Sequence, residues 1–271
     1  MSDFAQRRAC PMCGGMESEP HLAVEKNGIH FRIDRCMACR FVFVSNPAAQ
    51  AFRPGEREPH IVPERSRHRQ IKRVCDHVLA RRAAQNGRPR LVVEIGAGWG
   101  GLAQVFARDA RYRYVGFEPS PARASYCRAQ GLNVRNRRFT GPESEEAADA
   151  VVFDNVLEHV DDPVGLVGAA VASLVPGGVL VVIVPNLHDA RRLSPSWRAR
   201  HHWQPHCHIN YFSPADVGRL FARHGLERRY FGLEAVGSTG DDLALLPRVA
   251  VDLVGIHPLG LNCYGVKPSA A

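Results

Sequence analysis

The chain has 271 residues, of which 45% are hydrophobic and 23% charged, and its excess of Lys and Arg gives a net charge of +8. This composition is typical of a folded globular protein and excludes disordered and fibrous classes. The longest purely apolar run is residues 179–184, far shorter than the roughly 20 residues that cross a bilayer, and residues 1–15 lack the apolar core of a secretion signal. We therefore expect a cytoplasmic protein without a membrane span.

Four of the eight cysteines form two C-x-x-C pairs near the start of the chain, Cys10/Cys13 and Cys36/Cys39, separated by 22 residues. Each pair can turn two thiolates toward one point, and two pairs supply the four ligands of a closed tetrahedral zinc site. Free or redox-active cysteines are the alternative interpretation. We predict that residues 1–47 form a small zinc-binding module with short β runs, in which the metal is structural.

Residues 48–63 are rich in Pro, Gly, Arg and Glu and are predicted to be a linker. From there to residue 271 the pattern is an amphipathic helix followed by short β runs that alternate with helical stretches, which indicates a parallel sheet wound with helices. We predict an α/β fold with a doubly wound, Rossmann-like sheet of seven strands. The predicted strands are 91–95, 112–117, 132–136, 151–155, 179–184, 226–233 and 261–266.

A glycine-rich turn follows the first predicted strand of this sheet. Gly96, Gly98 and Gly101 satisfy G-x-G-x-x-G, and Glu118 ends the second strand about 20 residues later, as in a dinucleotide-binding fingerprint. An NAD(P)-dependent oxidoreductase is therefore one interpretation. Glu94, inside the first strand, favours a different ligand, because a carboxylate repels a pyrophosphate but tolerates or attracts a cationic group.

The glycine turn, together with three motifs further along the chain, makes the sequence resemble the class I S-adenosylmethionine-dependent methyltransferases. The resemblance is carried by EIGAGWG at 94–100, GFEPS at 116–120, DNVLEHVDDP at 154–163 and LVPGG at 174–178, in the order and spacing of that family. HCHINYFSP at 206–214 is similar to the subgroup related to ubiquinone-biosynthesis methylases. The paired cysteine knuckles resemble those of zinc-bearing methyltransferases, although Arg40 stands where a Gly usually follows the second knuckle.

The resemblance implies a site for S-adenosylmethionine at the carboxyl ends of the strands. The glycine turn would surround the methionine part, Glu118 would accept both ribose hydroxyls, and Asn155 would line the methyl-donating centre. The residues expected to contact the cofactor are Glu94, Gly96, Ala97, Gly98, Gly100, Glu118, Pro119, Asn155 and Val156.

Methyl transfer requires alignment of donor and acceptor and removal of a proton from a hydroxyl or acidic carbon, a task that suits neutral histidine. Residues 186–212 form a long connection rich in His and aromatic residues, which we predict to be a lid that closes over a small-molecule acceptor. The candidate catalytic residues are His208, His159, His206 and Tyr211. A structural role for His159 and lid packing by His206 and His208 are the competing interpretations.

Basic residues crowd the helix before the sheet, between Arg65 and Arg82, and a second cluster lies at residues 135–138. Such clusters favour either RNA or an anionic small acceptor, and an RNA methyltransferase is the alternative function. No aromatic residues are interleaved with them to stack on bases, so we expect a small molecule that is quinone-like, sugar-like or another secondary metabolite. A catalytically silent scaffold that holds zinc and cofactor is the third possibility.

Overall fold

The computed structural model describes residues 7–47, 66–80, 88–142, 146–237 and 259–269. The predicted linker at 48–63 lies outside these ranges, as do Arg65, Arg81 and Arg82 of the basic cluster. Within the described ranges there is no helix long and apolar enough to cross a membrane.

Eleven strands and six helices are formed in the described residues. The strands are β1 Ser18–Lys26, β2 Ile29–Cys36, β3 Val42–Val44, β4 Arg90–Ile95, β5 Tyr112–Phe117, β6 Val134–Arg135, β7 Ala148–Asp154, β8 Leu174–Val184, β9 Asn210–Tyr211, β10 Arg229–Tyr230 and β11 Leu261–Val266. The helices are α1 Ser66–Ala80, α2 Gly101–Ala107, α3 Pro121–Ala129, α4 Pro163–Ala172, α5 Pro195–Trp197 and α6 Pro214–Arg223.

The larger sheet confirms the predicted doubly wound fold. Its seven strands lie in the order β10-β11-β8-β7-β4-β5-β6, and β11 runs antiparallel to β8 while β8, β7, β4, β5 and β6 are mutually parallel. The chain winds from β4 outward to β6 and then resumes on the other side with β7. The carboxyl ends of β4 and β7 therefore flank the point where the winding direction reverses, which is where ligands bind in such sheets.

Helices cover both faces of this sheet because its central strands are buried on both sides. One face packs against α1, α2 and α3 through side chains such as Leu79, Phe106 and Cys127. The other face packs against α4 and α6 through Val167, Leu220 and others. Ser213 begins α6 with a capping box, since its hydroxyl accepts from the Asp216 N–H and the Asp216 carboxylate accepts from the Ser213 N–H.

The cysteine-bearing module docks directly on this second face. Cys10, Met12, Cys36, Phe41 and Phe43 belong to the same buried cluster as α6. Two arginines of α6 connect this helix to the two C-x-x-C turns. Arg219 donates to the Cys39 carbonyl at 2.9 Å, and Arg223 donates to the Met12 carbonyl at 2.8 Å. These residues pack as one unit with the α/β domain.

Residues 186–212, predicted to be a lid, contribute a strand to the module. β9 pairs antiparallel with β3, which completes a four-stranded sheet in the order β1-β2-β3-β9. A small apolar core of six residues joins the two parts: Phe31, Ile33, Val42, Val44, Ile209 and Tyr211. The end of the segment is therefore fixed in the fold, while its earlier part winds through short helical turns between Ala190 and His202.

Candidate active site

Three chain segments meet at the reversal point of the sheet. The turn Gly96–Gly100 follows β4, Glu118 follows β5, and Asn155 follows β7. Since β4 lies between β5 and β7, these segments are neighbours at one edge of the sheet. The structure thus brings the expected cofactor-contacting residues to one place, as their strand-end positions predict.

The glycine turn needs glycine at its first position. Gly96 has a φ of 79°, and a Cβ built on it would lie 2.6 Å from Val156 Cγ2, closer than atoms can pack. The N–H groups of Gly96 and Ala97 donate to the Phe117 carbonyl at 2.8 and 3.0 Å. These bonds hold the turn against the end of β5, while Val156 covers it from the β7 side.

Glu118 is buried, with 4% of its surface exposed, and both of its carboxylate oxygens accept backbone bonds. Oε2 accepts from the Gly98 N–H at 2.8 Å, and Oε1 accepts from the Ser120 N–H at 2.8 Å. Asn136 donates to the backbone carbonyls of Glu118 and Pro119 at 3.0 and 3.2 Å. A carboxylate oxygen can accept two hydrogen bonds, so this fixed carboxylate keeps acceptor capacity for a pair of hydroxyl groups.

Glu94 differs from its expected role as a free carboxylate beside a cation. Its side chain is buried in the sheet face and accepts a hydrogen bond from the Tyr114 hydroxyl. Burial raises the pKa of Glu94 to about 8, because the charged form loses its hydration. The protonated form is therefore favoured near neutral pH, and its polar contact is made within the sheet.

An unexpected ion pair supports the end of β7. Arg67, on α1, donates to Asp154 Oδ2 at 2.9 Å, and His68 Nε2 lies 3.5 Å from the same oxygen. Asn155, the next residue, has a φ of 55° and donates to Asp154 Oδ1 at 3.0 Å. This arrangement ties α1 to the strand end and sets the direction in which Asn155 leaves the sheet.

The two principal catalytic candidates lie together. The rings of His159 and His208 are in edge-to-face contact, with centroids 4.9 Å apart. His159 Nδ1 lies 2.6 Å from the Cys207 carbonyl oxygen. Burial lowers the pKa of both imidazoles, that of His208 to about 3, because the protonated ring loses hydration. The neutral form of both histidines is therefore favoured at physiological pH.

The other two candidates occupy different surroundings. Tyr211, on β9, packs in the small core of the module in edge-to-face contact with Trp203, with centroids 4.9 Å apart. His206 is half-buried, and its pKa is lowered by burial and by Lys26 of β1. These placements favour packing roles for both side chains.

The four cysteines of the knuckles converge as predicted. Their sulfur atoms all lie within 4.8 Å of one another, with Cys10 and Cys39 3.5 Å apart and Cys13 and Cys36 3.6 Å apart. Zinc–sulfur bonds of about 2.3 Å place tetrahedral thiolates about 3.8 Å apart, so this geometry fits a zinc ion. The residue after each pair, Gly14 and Arg40, has a left-handed backbone with φ of 76° and 65°.

A cavity of about 320 Å³ lies where the module meets residues 186–212. It is lined by His21, Leu22, Arg192, Arg198, His202 and Trp203. Two arginines and an indole give this cavity a cationic and aromatic character.

The basic face of α1 is largely paired in the described residues. Arg67 contacts Asp154, and Lys72 lies 2.7 Å from Asp76 and 2.8 Å from Asp109. These contacts neutralise part of the cluster that the sequence presents as a possible RNA surface.

Sequence comparison finds relatives for the α/β part of the chain. Residues 67–229 match the profile of a family described as a methyltransferase domain. The chain is 34% identical, over 34% of its length, to 36% of an uncharacterized methyltransferase of Mycobacterium leprae. It is 29% identical, over 50% of its length, to 32% of the C-methyltransferase NovU of Streptomyces niveus. The alignments thus span about a third of the length of these curated relatives.

Structural comparison finds the same fold. The plantazolicin methyltransferase BamL, solved with a triazolic desmethylPZN analog and SAH, has a TM-score of 0.53 and 13% identity over 74% of this chain and 84% of its own. The plantazolicin methyltransferase BpumL, solved with SAH, has a TM-score of 0.54 and 9% identity over 75% of this chain and 83% of its own. At these identities the likeness shows the fold.

Proposed function

The chain belongs to the methyltransferase-domain family, and from this membership we propose that it transfers a methyl group from S-adenosylmethionine to an oxygen or carbon atom of a small-molecule acceptor. The observation that carries the proposal is the placement of the buried Glu118 carboxylate against the glycine turn at the reversal point of the sheet. The structural relatives BamL and BpumL were solved with SAH, the demethylated product of this cofactor.

The residues of this chain fit such a cofactor. S-adenosylmethionine, when bound, supplies an electrophilic methyl group on a sulfonium. Glu118 holds the ribose through its remaining lone pairs, the turn Gly96–Gly100 admits the methionine part at close range, and Asn155 with Val156 lines the side toward the acceptor.

Acceptor activation falls to the pair His159 and His208. Their neutral rings can take the proton of a hydroxyl or an acidic carbon as the methyl group is transferred. The loop Leu157–His159 directly follows Asn155 and Val156, which supports a role for this pair next to the proposed cofactor site.

A small molecule is the acceptor class that the surroundings favour. NovU is named a C-methyltransferase, and BamL was solved with a triazolic desmethylPZN analog. The cavity lined by Arg192, Arg198 and Trp203 is suited to an anionic or aromatic acceptor. RNA is less favoured, because the described basic residues Arg67 and Lys72 are engaged by carboxylates.

We also propose that Cys10, Cys13, Cys36 and Cys39 hold one structural Zn²⁺. Metal analysis should find about one equivalent that is lost from a Cys10→Ser/Cys36→Ser double variant, together with a lower melting temperature, because structural metal binding contributes folding free energy. Unchanged tightly held metal in the double variant would contradict this assignment.

The transferase proposal is tested with radiolabelled S-adenosylmethionine and a panel of hydroxylated and CH-acidic small molecules. Transfer of the label to one of them supports the function. Transfer only to RNA supports the alternative acceptor, and reduction of NAD(P)⁺ without label transfer supports the oxidoreductase.

A further inference from the structure

A second group of metal-ligating side chains lies outside the cysteine cluster. It consists of Glu158, His159 and His208, and one ligand atom of each lies within 4.8 Å of the other two. Glu158 and His159 belong to the turn after β7, whereas His208 comes from the segment that precedes β9. The fold, rather than the local sequence, brings the three together.

Glu158 is the unusual member of the group. Its side chain is 1% exposed, and neither carboxylate oxygen has a hydrogen-bond partner among the described residues. Its Oε1 lies 3.8 Å from Nε2 of His159. Buried carboxylates are normally satisfied by several donors or by a cation, so this group has unused ligand capacity directed at the histidines.

His159 is oriented as a metal ligand. The Cys207 carbonyl can only accept, so the contact of 2.6 Å requires the proton of His159 to be on Nδ1. The lone pair of Nε2 then points to the side of Glu158. Metal-binding histidines commonly donate their other ring N–H to a carbonyl or carboxylate in this way, which fixes the tautomer and the ring.

The backbone holds the two contributing segments in register. The Ile209 N–H donates to the Glu158 carbonyl at 2.8 Å, and Asn210 Nδ2 donates to the carbonyls of Leu157 and Val160 at 2.8 and 2.7 Å. Arg8 adds a bond of 2.6 Å to the Ile209 carbonyl. The three ligands are therefore carried by backbone that is fixed before an ion arrives.

We propose that Glu158, His159 and His208 form a binding site for a divalent transition-metal ion of the Zn²⁺ class. Two imidazole nitrogens and one carboxylate oxygen are a donor set that zinc accepts, at bond lengths of about 2.0–2.2 Å, and three protein ligands leave a coordination position open. Side-chain rotation brings the ligand atoms from their present separations to these lengths. When an ion is bound, the two imidazoles are ligands and the open position takes over activation of the acceptor; this role rests on the proposed function, whereas ion binding does not.

The site is tested by zinc stoichiometry after equilibration with excess Zn²⁺ and desalting. We expect the wild-type protein to retain one equivalent more than Glu158→Gln and His208→Ala, while His201→Ala, an exposed histidine of the same segment, retains the wild-type amount. Replacement with Co²⁺ provides a second readout, because the nitrogen–oxygen site gives a visible spectrum without the thiolate charge-transfer bands of the cysteine site. Glu158→Gln should lose the first component and keep the second.

Equal zinc content in wild type and Glu158→Gln, with an unchanged Co²⁺ spectrum, would overturn the site. Calorimetry with S-adenosylhomocysteine on the same samples reports folding and the proposed function separately. Binding of this ligand without the additional metal refutes the metal site alone, and the additional metal without ligand binding refutes the methyltransferase proposal alone.

Discussion

His159 Nδ1 lies 2.6 Å from the carbonyl oxygen of Cys207, a residue 48 positions further along the chain. This contact joins the turn after β7 to the segment that enters β9. It also leaves Nε2 of His159 as the unprotonated nitrogen, 3.8 Å from Glu158 Oε1. Under the proposed function, acceptor activation therefore depends on the segment that carries Cys207 and His208 as well as on the sheet.

The first prediction concerns these two histidines. We expect His159→Ala and His208→Ala each to lower kcat by roughly 10²–10⁴. Their affinity for S-adenosylhomocysteine should stay near that of the wild type, because neither ring is among the residues expected to contact the cofactor. His224→Ala, at the end of α6, is the control and should have wild-type turnover. If both active-site variants keep full activity, the enzyme works by alignment of an acceptor that is already nucleophilic.

The second prediction is the pH dependence of turnover. Burial lowers the pKa of His159 and brings that of His208 to about 3, so both rings stay unprotonated well below the ordinary histidine pKa of about 6.5. The acidic limb of the kcat/KM profile should therefore lie below pH 6.5. A limb at or above pH 6.5 that disappears in His208→Ala would contradict this expectation. It would show that the His208 ring is protonated in the free enzyme and is more hydrated than its buried position implies.

Arg8 is predicted to hold the catalytic segment in place from the module. Its guanidinium donates to the carbonyls of Val44 and Ile209 at 2.7 and 2.6 Å and to Asn210 Oδ1 at 3.0 Å. Loss of such charged hydrogen bonds costs about 1.5–3 kcal/mol. Arg8→Ala should lower the melting temperature and kcat, whereas Arg7→Ala, at the exposed neighbouring residue, should change neither. Equal behaviour of the two variants would show that Arg8 does not hold this segment.

Glu94 gives a prediction about stability and pH. Burial raises its pKa from 4.5 in the unfolded chain to about 8 in the folded protein, so its favourable contribution is full below pH 4.5 and is lost as pH rises through 8. Glu94→Gln keeps an acceptor for Tyr114 without a charge. Its melting temperature should match that of the wild type at pH 4 and exceed it at pH 8 by on the order of 10 °C. A wild-type advantage at pH 8 would mean that Glu94 is stabilised as a carboxylate.

The two knuckles offer a matched pair of backbone substitutions. Arg40 and Gly14 occupy equivalent left-handed positions, and such a conformation costs a non-glycine residue about 1–2 kcal/mol. Arg40→Gly should stabilise the protein by about 1 kcal/mol, even though the exposed contact of Arg40 with Glu19 at 2.9 Å is lost. Gly14→Ala, which has open space for its Cβ, should destabilise it by a similar amount. Chemical denaturation measures both changes.

Much of the fold follows from short-range pattern. The strands at 112–117 and 261–266 have the predicted bounds because local hydrophobic spacing defines them. β8 begins at Leu174, earlier than predicted, since the Pro-Gly-Gly stretch continues the strand instead of preceding it. β1 is missed because its charged and exposed residues carry little apolar alternation.

The candidate site, like the fold, contains residues that a local pattern predicts and residues that it does not. The four cysteines were predictable because each C-x-x-C pair is local, and the structure brings the pairs together. Glu158 was not selected, since a Glu beside a His at a strand end carries no signal until its burial is known. The contact of His159 with His208 depends on β9, a strand of two residues that pairs with β3 across more than half of the chain, and no local pattern encodes such a partner.

Calorimetric titration of wild type and Glu118→Ala with S-adenosylhomocysteine and with NAD⁺ tests whether the site at the reversal point of the sheet binds S-adenosylmethionine. We expect the wild type to bind one equivalent of S-adenosylhomocysteine, Glu118→Ala to lose about 1.5–3 kcal/mol of binding free energy, and NAD⁺ to give no heat. Binding of NAD⁺ in place of S-adenosylhomocysteine, weakened by the same substitution, would contradict this expectation and assign the glycine turn to a dinucleotide.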